Sequence, residues 1–381
     1  MSTLETNSIG KYNGNNVSID DALKLKSYTT TQRDALTSVA GDTIYNTTTT
    51  KVEYYDGSAW QETGATTFNM DYLLVAGGGG GGQDYYTADS YGRPSTGGGS
   101  GGVLTSYGSE FAGPSGVNKP TFSVLVGQSY TVTVGAGGVA GNSSAYGNVN
   151  GGSKGGESAF AEIQAIGGTG GGGNAGGATY YARADASGGA SGIGGCYLDR
   201  NVEHIFIPTQ AYGGGDTGIT SAGAYPGAGA GGAGAAGGAA SNSTGGAGGN
   251  GMITTIISDS QATSASVGEV DSGNVYVGGG GGGKGNTSNG PGGLGGGGDG
   301  ATKRANNSGS GTANTGGGGG AGSTVNTSAT RYAGTGGSGL VILRYPNTYT
   351  ATTSGLTTST ASSGSDSILI ITAGTGTVSW A

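Results

Sequence analysis

His204 is the single histidine of the chain and Cys196 its single cysteine, so chemistry that needs an imidazole or a thiol must use one of them. A Ser-His-Asp relay would depend on His204. That residue lies between Glu203 and Ile205 with no nucleophile motif beside it, and a solvent-facing or loop-packing role suits it better. One cysteine excludes an intrachain disulfide framework and a thiolate metal site. Metal ions need convergent His, Cys or carboxylate ligands, and the acidic residues here are dispersed. Asp216 and Asp299 follow glycine runs, a faint likeness to calcium-binding nonapeptide repeats, but the repeat itself is absent. No Gly-Lys-Ser/Thr closes the glycine runs as a phosphate loop would. No pair of carboxylates is set apart for glycoside cleavage. The expectation is a chain with no catalytic residue, no metal and no cofactor.

Binding is better provided for. Among the 21 tyrosines, several fall in irregular segments between glycine runs: Tyr85, Tyr86 and Tyr91, Tyr180 and Tyr181, Tyr197 and Tyr212, and Tyr225. Arg93, Arg183 and Arg200 lie among them. Tyrosine offers a broad apolar face and a hydroxyl at low entropic cost, which suits loops that bind. These eleven residues are the candidate binding contacts. The same tyrosines would also serve to cover the ends of whatever the glycine runs build. Cys196 to Tyr212 is the longest insert, and its Ile205-Phe206-Ile207 suits an exposed anchor or a small local core.

The elements that must hold these loops are unusual. Glycine contributes 93 of 381 residues, concentrated in runs at 77–82, 97–102, 167–177, 227–238, 278–283, 292–300 and 316–322. Glycine-rich segments ordinarily behave as flexible linkers. Here, however, the runs have similar lengths and alternate with short apolar segments, as rods spanning one common thickness would. The ordered form open to them is an extended helix with about three residues per turn and no internal hydrogen bonds. Its N–H and C=O groups point outward and need partners on neighbouring rods. Ordering a glycine costs about 0.5–1 kcal/mol more than ordering an alanine. One inter-rod hydrogen bond, at about 1 kcal/mol net, is the right size to offset that. The glycines must therefore bond to one another, and a stack of rods follows.

Between the runs, 72–75, 122–126, 130–134, 159–163, 252–257, 275–277 and 340–343 read as strands, and no amphipathic helix pattern occurs in this region. Upstream, Thr31 is placed to cap a helix from Gln32 to Val39 that stops at Gly41. Strands follow at 43–45 and 51–55, with a second turn at Asp56-Gly57. At the C-terminal end, Ile368 to Ile371 and Thr377 to Trp380 are expected to pair across Gly374, with a return to the sheet begun at Tyr72 also open. Composition divides the chain into an N-terminal module at 1–65, a glycine-rich region at 66–346 and a Thr/Ser-rich end at 347–381. The expected fold class is mainly β with extended polyglycine II helices. A small α+β N-terminal module precedes the glycine-rich sandwich, and a β-rich C-terminal end follows it.

Net charge is −8 and Lys plus Arg number only 15, scattered along the chain, so a nucleic-acid partner is not expected. Met1 to Gly10 does not read as a signal peptide, and the longest apolar runs are far short of the ~20 residues that insert into a membrane.

Phe68-Asn69-Met70-Asp71-Tyr72-Leu73-Leu74-Val75-Ala76 followed by six glycines resembles the opening of the glycine-rich domain of phage tail-fibre adhesins. Gly336 to Pro346 is similar to its closing strand, and Asn274-Val275-Tyr276-Val277 to a recurrent internal element. Tyr28 to Leu36, Gly41 to Thr47 and Tyr55 to Trp60 resemble a short module of marine phage virion proteins, as does the Met1-Ser2-Thr3-Leu4 start. The resemblance covers most of the chain. It implies a polyglycine-rod sandwich joined by variable loops that contact the host surface, in a viral protein located in the virion. The implied partners are other virion proteins, met through the N-terminal module, and a host surface glycan or outer-membrane protein. A homo-oligomer, such as the trimer common among fibres, is implied as well. The adhesins in question are tip proteins on a separate fibre, whereas this chain has its own N-terminal module, so tail and capsid positions both stay open. The alternative reading is a structural fibre or decoration protein with no receptor duty.

Overall fold

The computed structural model describes residues 24–64, 66–84, 94–142, 151–173, 210–216, 226–303, 308–323 and 332–381. The chain forms two compact units that divide between Thr66 and Thr67.

In the first unit, strands β1 (Ser27–Tyr28), β2 (Thr43–Asn46), β3 (Lys51–Tyr55) and β4 (Trp60–Glu62) form one sheet in that order. Only β1 and β2 are parallel. Helix α1 (Thr30–Asp34) is shorter than the expected 32–39 and starts earlier. The reason is a reciprocal capping box. Gln32 N–H donates to Thr29 Oγ1, and Thr29 N–H donates to Gln32 Oε1 at 2.9 Å, so Thr29 and not Thr31 is the cap. Ile44 is the only buried large apolar residue among those described here. The interior is polar instead. Glu53, itself buried, accepts from Arg33 Nη1 (2.9 Å), Asn46 Nδ2 (2.9 Å) and Thr49 Oγ1 (3.0 Å). Burial disfavours its ionised form, but the hydrogen bonds from Arg33, Asn46 and Thr49 outweigh that and hold the carboxyl below its ordinary value. Asp56 closes the second turn by accepting from the N–H groups of Ser58 and Ala59.

The second unit is built on a nine-stranded sheet. Its members are β5 (Thr67–Val75), β6 (Val103–Thr105), β7 (Phe122–Leu125), β8 (Ser129–Thr133), β9 (Ser158–Phe160), β10 (Ile163–Ala165), β14 (Leu340–Pro346), β15 (Ala351–Ser363) and β16 (Asp366–Trp380). The path runs β10-β9-β8-β16-β14-β5-β6, with β7 on β5 and β15 on β16. Residues 347–381 thus belong to this sheet. Residues 72–75 of β5, 340–343 of β14 and 368–371 of β16 lie side by side with β14 in the middle and are buried on both faces, which is why each of these stretches reads as an unbroken apolar run. One face sends Tyr72, Leu74, Val341, Leu343, Leu369 and Ile371 into an aromatic core with Phe68, Phe160 and Trp380. Burial there pushes the Tyr72 hydroxyl up to about 12. The other face sends Leu73, Val75, Leu340, Ile342, Ile368 and Ile370 against a smaller layer. That layer contains β11 (Met252–Thr254), α2 (Asp259–Ala265), β12 (Glu269–Asp271) and β13 (Asn274–Val277).

Several local expectations are corrected. Helix α2 was unforeseen; Ser258 and Gln261 form its capping box, the same device as in α1. The 252–257 run is strand only to Thr254, after which Ile256 and Ile257 turn into the second core. The 159–163 run folds back on itself as β9 and β10, with Ala161 at φ +50° in the turn. Ile368 to Ile371 and Thr377 to Trp380 do not pair across Gly374 but lie in the single strand β16. Gly374 (φ +108°) lies beside an irregular register opposite Gly355 (φ +73°), and the hairpin closes at Gly364 instead. A glycine inside a strand accommodates a bulge as readily as a reversal.

The glycine runs are rods bonded to one another. Along 77–82, Gly77 and Gly80 donate to Gly156 O and Ser153 O, Gly78 and Gly81 to Gly337 O and Gly334 O, and Gly79 and Gly82 to Gly99 O and Thr96 O, at 2.8–3.0 Å. The carbonyls of the same run accept from Gly168 and Gly171, Gly138 and Gly141, and Gly319 and Gly322. Every third residue addresses the same neighbour, so the rod has six neighbours: three that it donates to and three that donate to it. The period matches an extended glycine helix. The rod 278–283 is surrounded in the same way. It donates to segments containing Gly246 and Gly249, Gly295 and Gly298, and Gly98, and accepts from Gly318 and Ala321, Gly290 and Gly293, and Ala230 and Ala233. Such contact leaves no room for side chains: a Cβ on Gly80 would lie 2.1 Å from Val139 O.

Candidate functional site

The direction of the rods separates two ends of the stack. At one end, rods run directly into strands: Val75, Val103, Ser158, Met252, Val277 and Leu340 each begin or end a strand next to a glycine segment. The other end holds the turns between rods. There Gly82 N–H donates to Thr96 O, Lys284 N–H to Ser95 O, Gly227 N–H to Lys284 O, Lys303 N–H to Gly285 O, and Ala333 N–H to Gly141 O. Isolated bridges join Gln83 to Gly322, Asn142 to Tyr332 and Thr244 to Ser288 at the same level. Ser95 Oγ donates to Gly322 O at 2.7 Å, and Gly172 N–H donates to Thr96 Oγ1 at 2.9 Å. Rod ends that are distant in sequence are therefore tied into one base.

That base supplies the anchor points for most of the segments between the rods. Asp84 and Pro94, Asn142 and Gly151, Asp216 and Pro226, Lys303 and Ser308, and Ser323 and Tyr332 flank 85–93, 143–150, 217–225, 304–307 and 324–331, and Gly173 precedes 174–209. Tyr85, Tyr86, Tyr91, Arg93, Tyr180, Tyr181, Arg183, Tyr197, Arg200 and Tyr225 lie outside the described residues, as do His204, Cys196 and Ile205-Phe206-Ile207. Tyr212 is described, and it is not at this end. It is half-buried, its N–H donates to Gly232 O, and the neighbouring Gln210 O accepts from Val103 at the strand end.

One residue of the loop end escaped the sequence reading. Tyr332 is 62% exposed, pairs with Asn142, and has its carbonyl within reach of Ser308 Oγ at 3.3 Å. Its signal was the one used for the others, a tyrosine between two glycine runs.

Among the described residues this end holds a buried ion pair. Lys284 follows the rod 278–283, and its Nζ lies 2.7 Å from Oδ2 of Asp84, two positions after the rod 77–82. Asp299 is also spoken for, with Oδ1 accepting from Gly292 N–H at 2.8 Å. Among the described residues no group of three His, Cys, Asp or Glu side chains converges as metal ligands would. No described helix is long and apolar enough to cross a membrane. The rod ends form a hydrogen-bonded platform from which most of the intervening segments depart at set positions.

A family model described as a glycine-rich domain matches residues 55–346, which takes in the rods, the sheet up to β14 and the layer packed on it. None of the curated proteins matches the chain.

Proposed function

We propose, from the premise that the chain belongs to the glycine-rich domain family, that it is a fibre or adhesin protein of a tailed-phage virion that binds a host-surface receptor. In this reading the rod stack is the scaffold, and the segments carrying Tyr85, Tyr86, Tyr91, Arg93, Tyr180, Tyr181, Arg183, Tyr197, Arg200 and Tyr225 make the contacts. The unit ending at Thr66 is the attachment point to other virion proteins. The ligand is a surface glycan or an outer-membrane protein of the host, and the protein carries no enzymatic activity.

The observation that supports this reading most is that both anchors of 85–93, 143–150, 217–225, 304–307 and 324–331, and the Gly173 anchor of 174–209, lie at one end of the stack, while Gln210, which follows 174–209, lies at the strand end. Glycine positions where a Cβ would meet a neighbouring backbone at about 2 Å leave the interior of the stack little freedom to vary, so variation falls mainly to the turns. Holding the anchors by inter-rod hydrogen bonds lowers the entropy lost when a loop binds.

The test replaces Tyr85, Tyr86, Tyr180 and Tyr181 with Ala in the full chain and measures binding to host cells and to extracted surface glycan. The expected result is weakened binding with an unchanged melting temperature. Unchanged binding by the folded variant would reject the receptor role and favour a purely structural part of the virion.

A further inference from the structure

We infer that β15 is an assembly edge, and that its occupant is β15 of a second copy of this chain, paired antiparallel about a twofold axis.

A free strand edge presents a row of unpaired N–H and C=O groups, and soluble proteins shorten, charge, cover or bend such edges. The nine-stranded sheet does so at its other margins. β10 has three residues, and Gln210 covers it by accepting from Ile166 N–H (2.9 Å) and donating to Gln164 O (3.4 Å). β6 also has three residues, and Val103 N–H donates to Gln210 O while Thr105 O accepts from Lys119 N–H. β7 is short, and its Leu125 N–H is taken by the Tyr130 hydroxyl at 2.8 Å. β15 is treated differently. It has 13 residues and pairs only with β16. From outside β16 its backbone is engaged at the two ends, where Gln261 Nε2 donates to Ser362 O at 2.8 Å and the Ala351 N–H donates to the Tyr345 hydroxyl.

The composition of this edge selects the partner. β15 reads Ala-Thr-Thr-Ser-Gly-Leu-Thr-Thr-Ser-Thr-Ala-Ser-Ser, with no charge and no proline in a chain of net charge −8. Thr352, Ser354, Thr358 and Thr360 are exposed. A foreign peptide added to an edge is chosen by side-chain pockets or charge. Here the adjoining cavity of about 310 Å³ is lined by short groups such as Ser264, Ser359 and Ala361, which offer no deep anchor. A Ser/Thr strand is complementary to itself, because Thr–Thr and Thr–Ser pairs across antiparallel strands are favourable. The bulge around Gly355 splits the edge into 351–354 and 358–363, and a twofold axis between them sets each stretch against the other's counterpart. Since each copy has one such long edge among the described residues of its nine-stranded sheet, pairing closes at two copies and builds no filament. The strand is roughly 44 Å long at ~3.4 Å per residue. An edge-only contact falls at the small end of specific interfaces, so association is concentration-dependent.

The inference does not depend on receptor binding, and mass measurement tests it separately. Sedimentation equilibrium of the full chain over a range of concentrations is expected to show a monomer–dimer equilibrium. Thr352→Lys with Thr360→Lys places like charges on both stretches and is expected to weaken dimerisation by at least about tenfold, with an unchanged melting temperature. Thr352→Glu with Thr360→Glu is expected to do the same, and mixing the two variants restores the dimer. That rescue also shows both variants to be folded. A wild-type monomer at all concentrations, a trimer or open polymer, or a lysine variant that dimerises like wild type would each overturn the inference.

Discussion

Lys284 Nζ lies 2.7 Å from Asp84 Oδ2, with the two side chains 0% and 1% exposed, at the loop end of the rods 278–283 and 77–82. Each of these rods is ringed by six neighbours, so the pair ties the two centres of the stack together across 200 residues of sequence.

Removing one partner leaves a buried charge without its counterion. Asp84→Asn or Lys284→Met alone is expected to cost about 3–5 kcal/mol in denaturant unfolding, whereas Asp84→Leu combined with Lys284→Met costs far less. Equal losses in single and double variants would show that the charges do not act as a pair. Because the pair is buried, added salt should change its contribution little.

Gly80 and Gly213 separate close packing from glycine content. A Cβ on Gly80 meets Val139 O at 2.1 Å, while nothing lies within 4 Å of one on Gly213. Overpacking usually costs about 1–3 kcal/mol, and here the obstacle is backbone, which cannot rotate aside. Gly80→Ala is therefore expected to exceed that range or prevent folding, with Gly213→Ala within about 1 kcal/mol of wild type. Thermal melts of the two variants decide it. Similar melting temperatures would mean that the rods tolerate side chains.

Acid should loosen the first unit through Glu53. Its folded carboxyl is held below the ordinary value by hydrogen bonds from Arg33, Asn46 and Thr49, acting against burial. For a depressed carboxylate the stabilisation is present above the unfolded value of about 4.3 and is lost as pH falls through the folded value. Hydrogen-exchange protection over 43–55 is expected to fall in that window while protection over 67–75 persists. In Glu53→Gln that pH step disappears. A wild-type module whose protection stays flat through the same window would show that Glu53 is not its acid-sensitive group.

Much of the scaffold could be read locally. The apolar stretches at Tyr72 to Val75 and Leu340 to Leu343 are strands recognisable without alternation because they are buried on both faces, whereas Tyr130 to Thr133 alternates buried and more exposed residues as a half-buried strand does, and Phe122 to Leu125 buries only Val124. The six glycines after Ala76 and after Val277 announced mutually bonded rods, because an extended glycine segment has no other place to put its amides. Where local reading failed, a short-range competitor was at work. Gln32 shifted a cap to Thr29, Ser258 and Gln261 started an unforeseen helix, and Gly374 fits a bulge as well as a turn.

Chain order and residue type alone thus settled that this is a β protein with glycine rods and loops between them, since backbone hydrogen bonding without side chains has few solutions. Which rods became neighbours, that most loop anchors share one end, that Asp84 meets Lys284 and that Gln210 and Tyr212 lie at the strand end were decided only by the folded chain. Those pairings carry no local signal, for one glycine carbonyl is chemically the same as another. Only the joint geometry of sheet and stack selects among them.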